Sequence, residues 1–478
     1  MDDAIEAVTL RTGTDHSAGG KWRLLCIGLA MMWIAPQVAV AQFGGISIDA
    51  EGLVQPETMV RETSAAARRR AEAFAQEHLG KGVVVRSEAR CLSLRGLEAE
   101  LRAAGSVAAM PVEALHCYGL QRIETIILDV EGQDLLLCGP AEGFAPDSTG
   151  RMRGVSTGRP PLRAEDLLTA LRWGRDGREQ IGCSIDPVPE RMAEMQNYMR
   201  NLGQASSNQE AHGRNHEMAR ILGRQIVSVY GVDADTHFGQ VLVEADYRMK
   251  LIALGKENPG VRGLRSQISL ATPQGNSLQR WWFIPLYEPI TVNADRTAYG
   301  LAGQRAQLLA QEQWSDMAGN RRDAPFTRLS TEKFAELFTE HFGELAEESA
   351  VFAELQSVFD LAVLAELARR EDFTQRIRWD FGELVNAAKY PLPVHPVPRE
   401  IDSLATSVVK SRFVIGLIGG VSLDAAAVAR AEFANDTSGA LERRVAAVTQ
   451  AAVQPSTAVS AEPVRWFDPQ GLDTSESR

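Results

Sequence analysis

QIVSVYGVDADTHFGQVLVEADYRMKLIALG, residues 225–255, is the stretch on which the fold turns. Residues 225–230 form a β-branched and aromatic run with the composition of a buried strand, and Gly231 breaks it. From Phe238 the apolar residues recur at Val241, Leu242, Ala245, Met249 and Ile252, the three-and-four spacing of one helical face. Val243, Tyr247, Leu251 and Leu254 widen that face, which predicts a helix covered on more than one side and placed near the centre of a domain. Asp233, Asp235 or Thr236 suits the positive start of such a helix, and Gly255 suits its C-terminal cap. Glu244 with Arg248 and Asp246 with Lys250 are four-residue charge pairs, expected on a solvent-facing side.

The whole chain has 478 residues, 45% of them apolar, which is enough for two or three cores. A formal net charge of -12 argues against coating nucleic acid through general electrostatics, so no nucleic-acid partner is expected. Lys21 and Arg23 precede an apolar run over residues 24–34, and Ala39-Val40-Ala41 offers a small-residue cleavage site. This layout predicts a signal peptide over residues 1–41, cleavage near Ala41–Gln42, export to the periplasm or cell surface, and no transmembrane helix in the mature chain. The competing reading is a retained anchor, since residues 24–41 approach the length of a bilayer span; Pro36 and Gln37 favour cleavage. Export admits disulfides. With Cys26 removed, Cys91, Cys117, Cys138 and Cys183 allow three pairings among which sequence does not choose, and Cys183, in the apolar run 181–185, also suits a buried thiol.

Short strands alternate with helices over residues 42–255, with a hairpin expected around Glu131-Gly132-Gln133. Residues 256–439 add strands carrying Trp281 and Trp282 on opposite faces, then a helical pair built on Phe334, Phe338 and Phe342 and on Val351, Phe352, Leu355 and Phe359. Pro391, Pro393, Pro396 and Pro398 make an extended strap. The fold class is therefore α+β, with mixed sheets, packed helices and two subdomains, 42–255 and 256–439, followed by a disordered tail over 440–478. The pattern apolar-Gly-Gly-apolar-Ser-apolar-Asp-Ala occurs at Gly44-Gly45 and again at Gly419-Gly420, so the two segments are candidates for neighbouring strands.

Four segments carry a resemblance: residues 124–140 (ETIILDVEGQDLLLCGP), residues 158–172 (GRPPLRAEDLLTALR), residues 183–187 (CSIDP) and residues 243–250 (VEADYRMK). Together they resemble an uncharacterised secreted planctomycete-type bacterial family, a domain of unknown function, over roughly residues 80–425. The resemblance implies an extracytoplasmic protein whose core signature includes the helix of the opening stretch. It carries over no catalytic residues.

The sharpest metal candidate is His212 and His216, four apart on one helical face, with His237 as a third ligand to test. Gly213 stands where a zinc-protease helix would carry its general base, so exposed polar histidines are the competing reading. Residues 231–237 resemble an aspartate phosphatase loop, but His237 replaces the Thr or Val that motif needs, and helix capping accounts for the same residues. There is no Gly-x-Ser-x-Gly elbow and no phosphate-cradling glycine loop. No catalytic or cofactor-binding residue and no cofactor is thus named. Trp281, Trp282, Phe283 and Tyr287 suit either a carbohydrate or peptide groove or a core, and Arg151, Arg153, Arg159 and Arg163 suit either an anionic partner or a solvated loop. The sequence favours an exported non-catalytic binding or structural protein with a protein or cell-envelope polymer as partner. The alternative is an extracytoplasmic, metal-assisted hydrolase.

Overall fold

Strand Phe413–Leu423, late in the chain, lies inside an eight-stranded sheet, parallel to Ser277–Leu286 on one side and antiparallel to Ile181–Pro187 on the other. The order across the sheet is Arg321–Asp323, Arg305–Ser315, Ser277–Leu286, Phe413–Leu423, Ile181–Pro187, Arg224–Tyr230 and Glu400–Asp402, with Ser407–Val408 paired to the start of the central strand. This is a computed structural model, and it describes residues 43–48, 54–58, 64–177, 180–203, 206–270, 277–315, 321–403, 407–408, 413–453 and 465–469. The expected signal segment, residues 1–41, lies outside them. A second, seven-stranded sheet runs Ala434–Asn435, Thr291–Val292, Ala298–Gly300, Thr125–Asp129, Asp134–Ala141, Ser87–Ser93 and Trp466–Phe467. The architecture is α+β, as the residue pattern predicts. Both sheets draw strands from each side of the boundary expected at residue 255, and all described residues belong to one compact unit.

The helix of the opening stretch spans His237–Ala253 and is capped by Thr236, whose Oγ1 accepts from Gly239 N at 3.1 Å. Apart from Gln240, every residue in it is buried. It packs on the eight-stranded sheet over Phe413–Leu423 and Ile181–Pro187 and against the long helix Ala350–Arg370. Gly419 makes that approach possible, because a Cβ there would lie 2.8 Å from Asp246 Oδ1 and 2.3 Å from the Trp281 carbonyl. The long helix is apolar on all sides and buried from Ala350 to Ala368. Phe283, Phe334, Phe338, Phe342 and Phe352 pack ring against ring where it meets helices Leu329–Glu340 and Phe342–Glu348.

This helix buries three carboxyl groups, those of Glu354, Asp360 and Glu366, and Asp360 is the one that ties it to both sheets. Asp360 Oδ1 accepts from Tyr287 Oη at 2.8 Å and from Arg305 Nε at 3.1 Å, and Oδ2 from Ile123 N at 3.3 Å. Arg305 also donates to the carbonyls of Ile123 (3.0 Å), Leu301 (3.0 Å) and Gly303 (2.6 Å). Both side chains are almost fully enclosed, so each charge is balanced by the other.

Several expectations are corrected. Strand Arg224–Tyr230 is next to the sheet's short last strand and is not buried: Ile226 is 49% and Tyr230 39% exposed. The charge pairs of the central helix face inward, with Lys250 Nζ 2.8 Å from Asp246, and Arg248 held by Glu257 and lying 3.7 Å from Glu244. They point inward because the helix has no wet side, so its charges must meet partners within the protein. The arginines of residues 151–163 are likewise turned inward: Arg151 reaches Glu244 at 2.7 Å, Arg153 the Glu347 carbonyl at 2.9 Å, and Arg159 Gln356 at 2.5 Å. The Gly-Gly segments take different partners, Phe43–Ile48 pairing with Val54–Thr58. Part of the tail is ordered: Ala440–Val453 is a helix and Trp466–Phe467 pairs with Ser87–Ser93. The rest of the expected tail lies outside the described residues.

Cys91 and Cys138, opposite each other on neighbouring strands, form a disulfide, while Cys117 and Cys183 are buried free thiols. No helix among the described residues is long and apolar enough to cross a membrane.

Removing the Asp360 carboxylate leaves Arg305 charged in a dry site. Asp360→Ala is expected to lower unfolding free energy by roughly 3–5 kcal/mol, read from urea titration, because truncating one partner strands the other charge. A loss under about 1 kcal/mol, the range of an exposed pair, would show that the knot is not structural.

Candidate functional site

The outer face of the eight-stranded sheet, opposite the central helix, carries a tile of small residues. Strand pairing places Trp282 beside Gly420 and Gly420 beside Ser184, and in the next row Ser422 beside Gly182 and Gly182 beside Tyr230. Since side chains alternate across a strand, Gly420 and Ser422 face outward while Gly419 and Val421 face the core. The four small positions Gly420, Ser422, Gly182 and Ser184 thus form a nearly bare floor about two strand spacings, roughly 10 Å, across.

This floor is walled on both sides. Arg280 and Trp282, two apart on one strand, share the outer face, and the Arg280 guanidinium lies 4.5 Å from the centre of the indole. Opposite, Tyr230 leans across Gly182, where a Cβ would come within 2.5 Å of its ring, and its hydroxyl donates to the Val421 carbonyl at 3.3 Å. Burial raises the Tyr230 hydroxyl's pKa, and the nearby Arg280 charge works against that rise. At the rim Arg321 Nη2 is 2.7 Å from Asp186 Oδ1, so that carboxylate is neutralised locally. Gln313 adds an amide whose Nε2 donates to Asp323 at 2.9 Å and whose Oε1 is buried without a hydrogen-bond partner. Together these residues enclose a groove of about 660 Å³. It offers a planar cation, two aromatic surfaces and hydroxyls, the equipment for holding a polar ligand by its hydroxyls and its flat C–H faces.

The histidines singled out from sequence are placed elsewhere. His212 and His216 lie on helix Asn208–Leu222, which packs with Pro189–Arg200 around its own small core of Met192, Met195, Met218, Ile221 and Leu222. His216 is exposed, and the side chain of His212 lies outside the described residues. His237 is buried at the start of the central helix, its Nδ1 2.8 Å from Asp166 Oδ2 and its Nε2 4.0 Å from Glu354. No three His, Cys, Asp or Glu among the described residues are grouped to hold a metal ion. Beside Asp166, Glu165 binds His395 Nε2 at 2.7 Å and so ties down the proline-rich segment 391–398, which carries neither helix nor strand.

Burial governs the chemistry of this pair. Desolvation lowers His237 to about 3, with the Arg163 charge adding to the effect. Desolvation raises Asp166 to about 8, with the Glu165 charge adding to that rise. Glu165 itself is drawn down to about 2: burial alone would raise it, but the His395 hydrogen bond and the Arg163 charge outweigh that. His237 is thus an enclosed, neutral ring sharing one proton with Asp166, and it is not poised as a base for a bound substrate.

Residues 183–267 match the family model DUF1598, described as a protein of unknown function. The match runs from Cys183, through Ser184, Asp186 and Tyr230 of the groove, and across the whole central helix. No curated protein and no solved structure matches the chain. Sequence reading had placed Trp282 as a groove candidate, but it missed Arg280, Tyr230, Gly420, Ser184 and Gln313. The available signal was the Arg280-x-Trp282 spacing on a strand together with the Gly419-Gly420 pair.

The shared proton gives a pH signature. Between pH 3.8 and 6.5 the folded pair and the unfolded pair each hold one proton, on Asp166 in one and on His237 in the other, so this pair leaves stability flat. Above pH 6.5 the unfolded pair holds none while the folded pair keeps its proton until about pH 8, so stability falls as pH rises. Below pH 3.8 the unfolded pair holds two and the folded pair one until about pH 3, so stability falls on acidification. Asp166→Asn, which cannot lose a proton, should remove the alkaline fall of up to about 1.4 kcal/mol per pH unit, read as Tm against pH. An unchanged alkaline limb would place the proton elsewhere.

Proposed function

We propose that this chain is an exported, non-catalytic binding protein that holds an oligosaccharide in the groove floored by Gly420, Ser184 and Ser422. The observation that carries the reading is the bare Gly/Ser floor between the Trp282–Arg280 stack and Tyr230. The strands that carry the floor are paired on both sides, so the floor presents side chains to a ligand and not a backbone edge. Flat aromatic surfaces beside hydroxyl and amide groups suit a ring with C–H faces and a rim of hydroxyls. Export is supported by the signal-like residues 1–41 and by the Cys91–Cys138 disulfide, a bond characteristic of oxidising compartments.

A binding role is favoured over hydrolysis by the carboxylates. Of the groove's lining residues only Asp186 is acidic, and Arg321 engages it. Glycoside hydrolysis ordinarily needs two carboxyl groups about 5–10 Å apart across the scissile bond. His237, which a metal-assisted route would call on, is enclosed with Asp166.

The test is an array of neutral and acidic oligosaccharides probed with the purified mature chain, followed by calorimetry and reducing-end assay on whatever binds. Binding without release of new reducing ends is expected, and Trp282→Ala should weaken it by tenfold or more, about 1.4 kcal/mol, with the far-UV spectrum unchanged. Absence of any oligosaccharide binding, affinity indifferent to Trp282→Ala, or turnover of the bound sugar would each overturn the reading.

A further inference from the structure

Resting on the groove reading above, we infer that the ligand is an acidic oligosaccharide whose carboxylate is bound by Arg280. The argument begins with what Arg280 does not do. No described residue accepts a hydrogen bond from it or pairs with it as a carboxylate; its one partner in contact is the indole of Trp282, 4.5 Å from the guanidinium. A guanidinium stacked on an aromatic face uses its π surface and leaves its N–H donors in the plane, directed outward. Stacking also fixes the plane, so a fork of donors is held ready at the wall of the groove.

The surrounding charges leave that fork uncompensated. The other cation lining the groove, Arg321, is spent on Asp186 at 2.7 Å. Asp246 and Lys250 lie on the opposite face of the sheet, where each neutralises the other at 2.8 Å. In a protein of net charge -12, the groove therefore carries a local positive excess of one, set on Arg280. A planar, bidentate acceptor is the group that matches a fixed guanidinium fork, and a carboxylate is such a group.

The rest of the lining separates an acidic sugar from an acidic peptide. Ser184 and Ser422 line the floor and Tyr230 closes the far side, giving a ring hydroxyl groups to meet and an aromatic surface to lie against. A peptide carboxylate would satisfy Arg280 too, yet the floor residues lie on strands paired on both sides and offer its backbone no edge to pair with.

The experiment uses oligomers of galacturonate, glucuronate-containing hyaluronan and alginate, each alongside its methyl ester, which keeps the ring and hydroxyls and removes the charge. Calorimetry with the full mature chain is expected to show at least one acid bound about tenfold or more tightly than its ester. Arg280→Gln should erase that difference and added salt should shrink it, while Trp282→Ala, which removes both the aromatic face and the support of the guanidinium, should weaken the ester and weaken the acid more. Circular dichroism and Tm of both variants check that they fold; Arg280→Lys, which keeps the charge but not the fork, should recover only part of the preference if either variant proves unstable. Equal binding of acid and ester, or a preference that survives Arg280→Gln, overturns the inference while leaving an oligosaccharide groove in place. Binding of neither overturns both readings. Preference for an oligoglutamate peptide over all the sugars assigns the carboxylate to a protein partner and also overturns it.

Discussion

The Asp360–Arg305 pair is the interaction on which the two sheets and the long helix depend together. Asp360 belongs to the most apolar helix in the described structure, Arg305 opens the strand Arg305–Ser315 of one sheet, and Ile123 leads into the strand Thr125–Asp129 of the other. An unpaired charge at that depth would cost several kcal/mol, so the geometry that satisfies all its partners is strongly preferred over shifted packings. Apolar contact alone would let the helix slide or rotate between the sheets. A carboxylate with three donors, facing a guanidinium with three further carbonyls, admits one depth and one rotation.

The same logic explains the many buried charges around the central helix. Glu244, Asp246, Arg248 and Lys250 lie on a helix with no exposed side, and each finds a partner: Arg151 for Glu244, Glu257 for Arg248, and Asp246 and Lys250 for each other. Around His237 the network continues through Asp166, Glu165 and His395 to the proline strap. These groups hold loops and strap against the core. The groove is built differently, with small residues on its floor and the Arg280 guanidinium on its wall.

Much of the architecture was legible in the sequence. The three-and-four spacing from Phe238 found the central helix, and its width beyond a single stripe showed that it would be covered. Alternation placed Trp281 and Trp282 on opposite faces, one in the core and one in the groove. What spacing could not tell was the direction of the charges: Glu244 and Arg248 stand four apart whether they face water or Arg151 and Glu257. The groove was hidden for another reason. Its residues come from six strands between Ile181 and Leu423, and a bare floor leaves no pattern in the sequence beyond small residues, which read as turns or close approaches. His212 and His216 share helix Asn208–Leu222 as their spacing predicts, while His237 opens a different helix and is engaged with Asp166.

The position of strand Phe413–Leu423 bears on how the molecule assembles. It supplies the middle of the sheet, between Ser277–Leu286 and Ile181–Pro187, yet it is among the last strands to be synthesised. Until it inserts, the two halves of the sheet present facing unpaired edges, and covering the edge of Ile181–Pro187 takes contacts that span more than two hundred residues. The groove floor is therefore completed only by this strand, and a chain interrupted before residue 413 would lack Gly420 and Ser422, half of that floor.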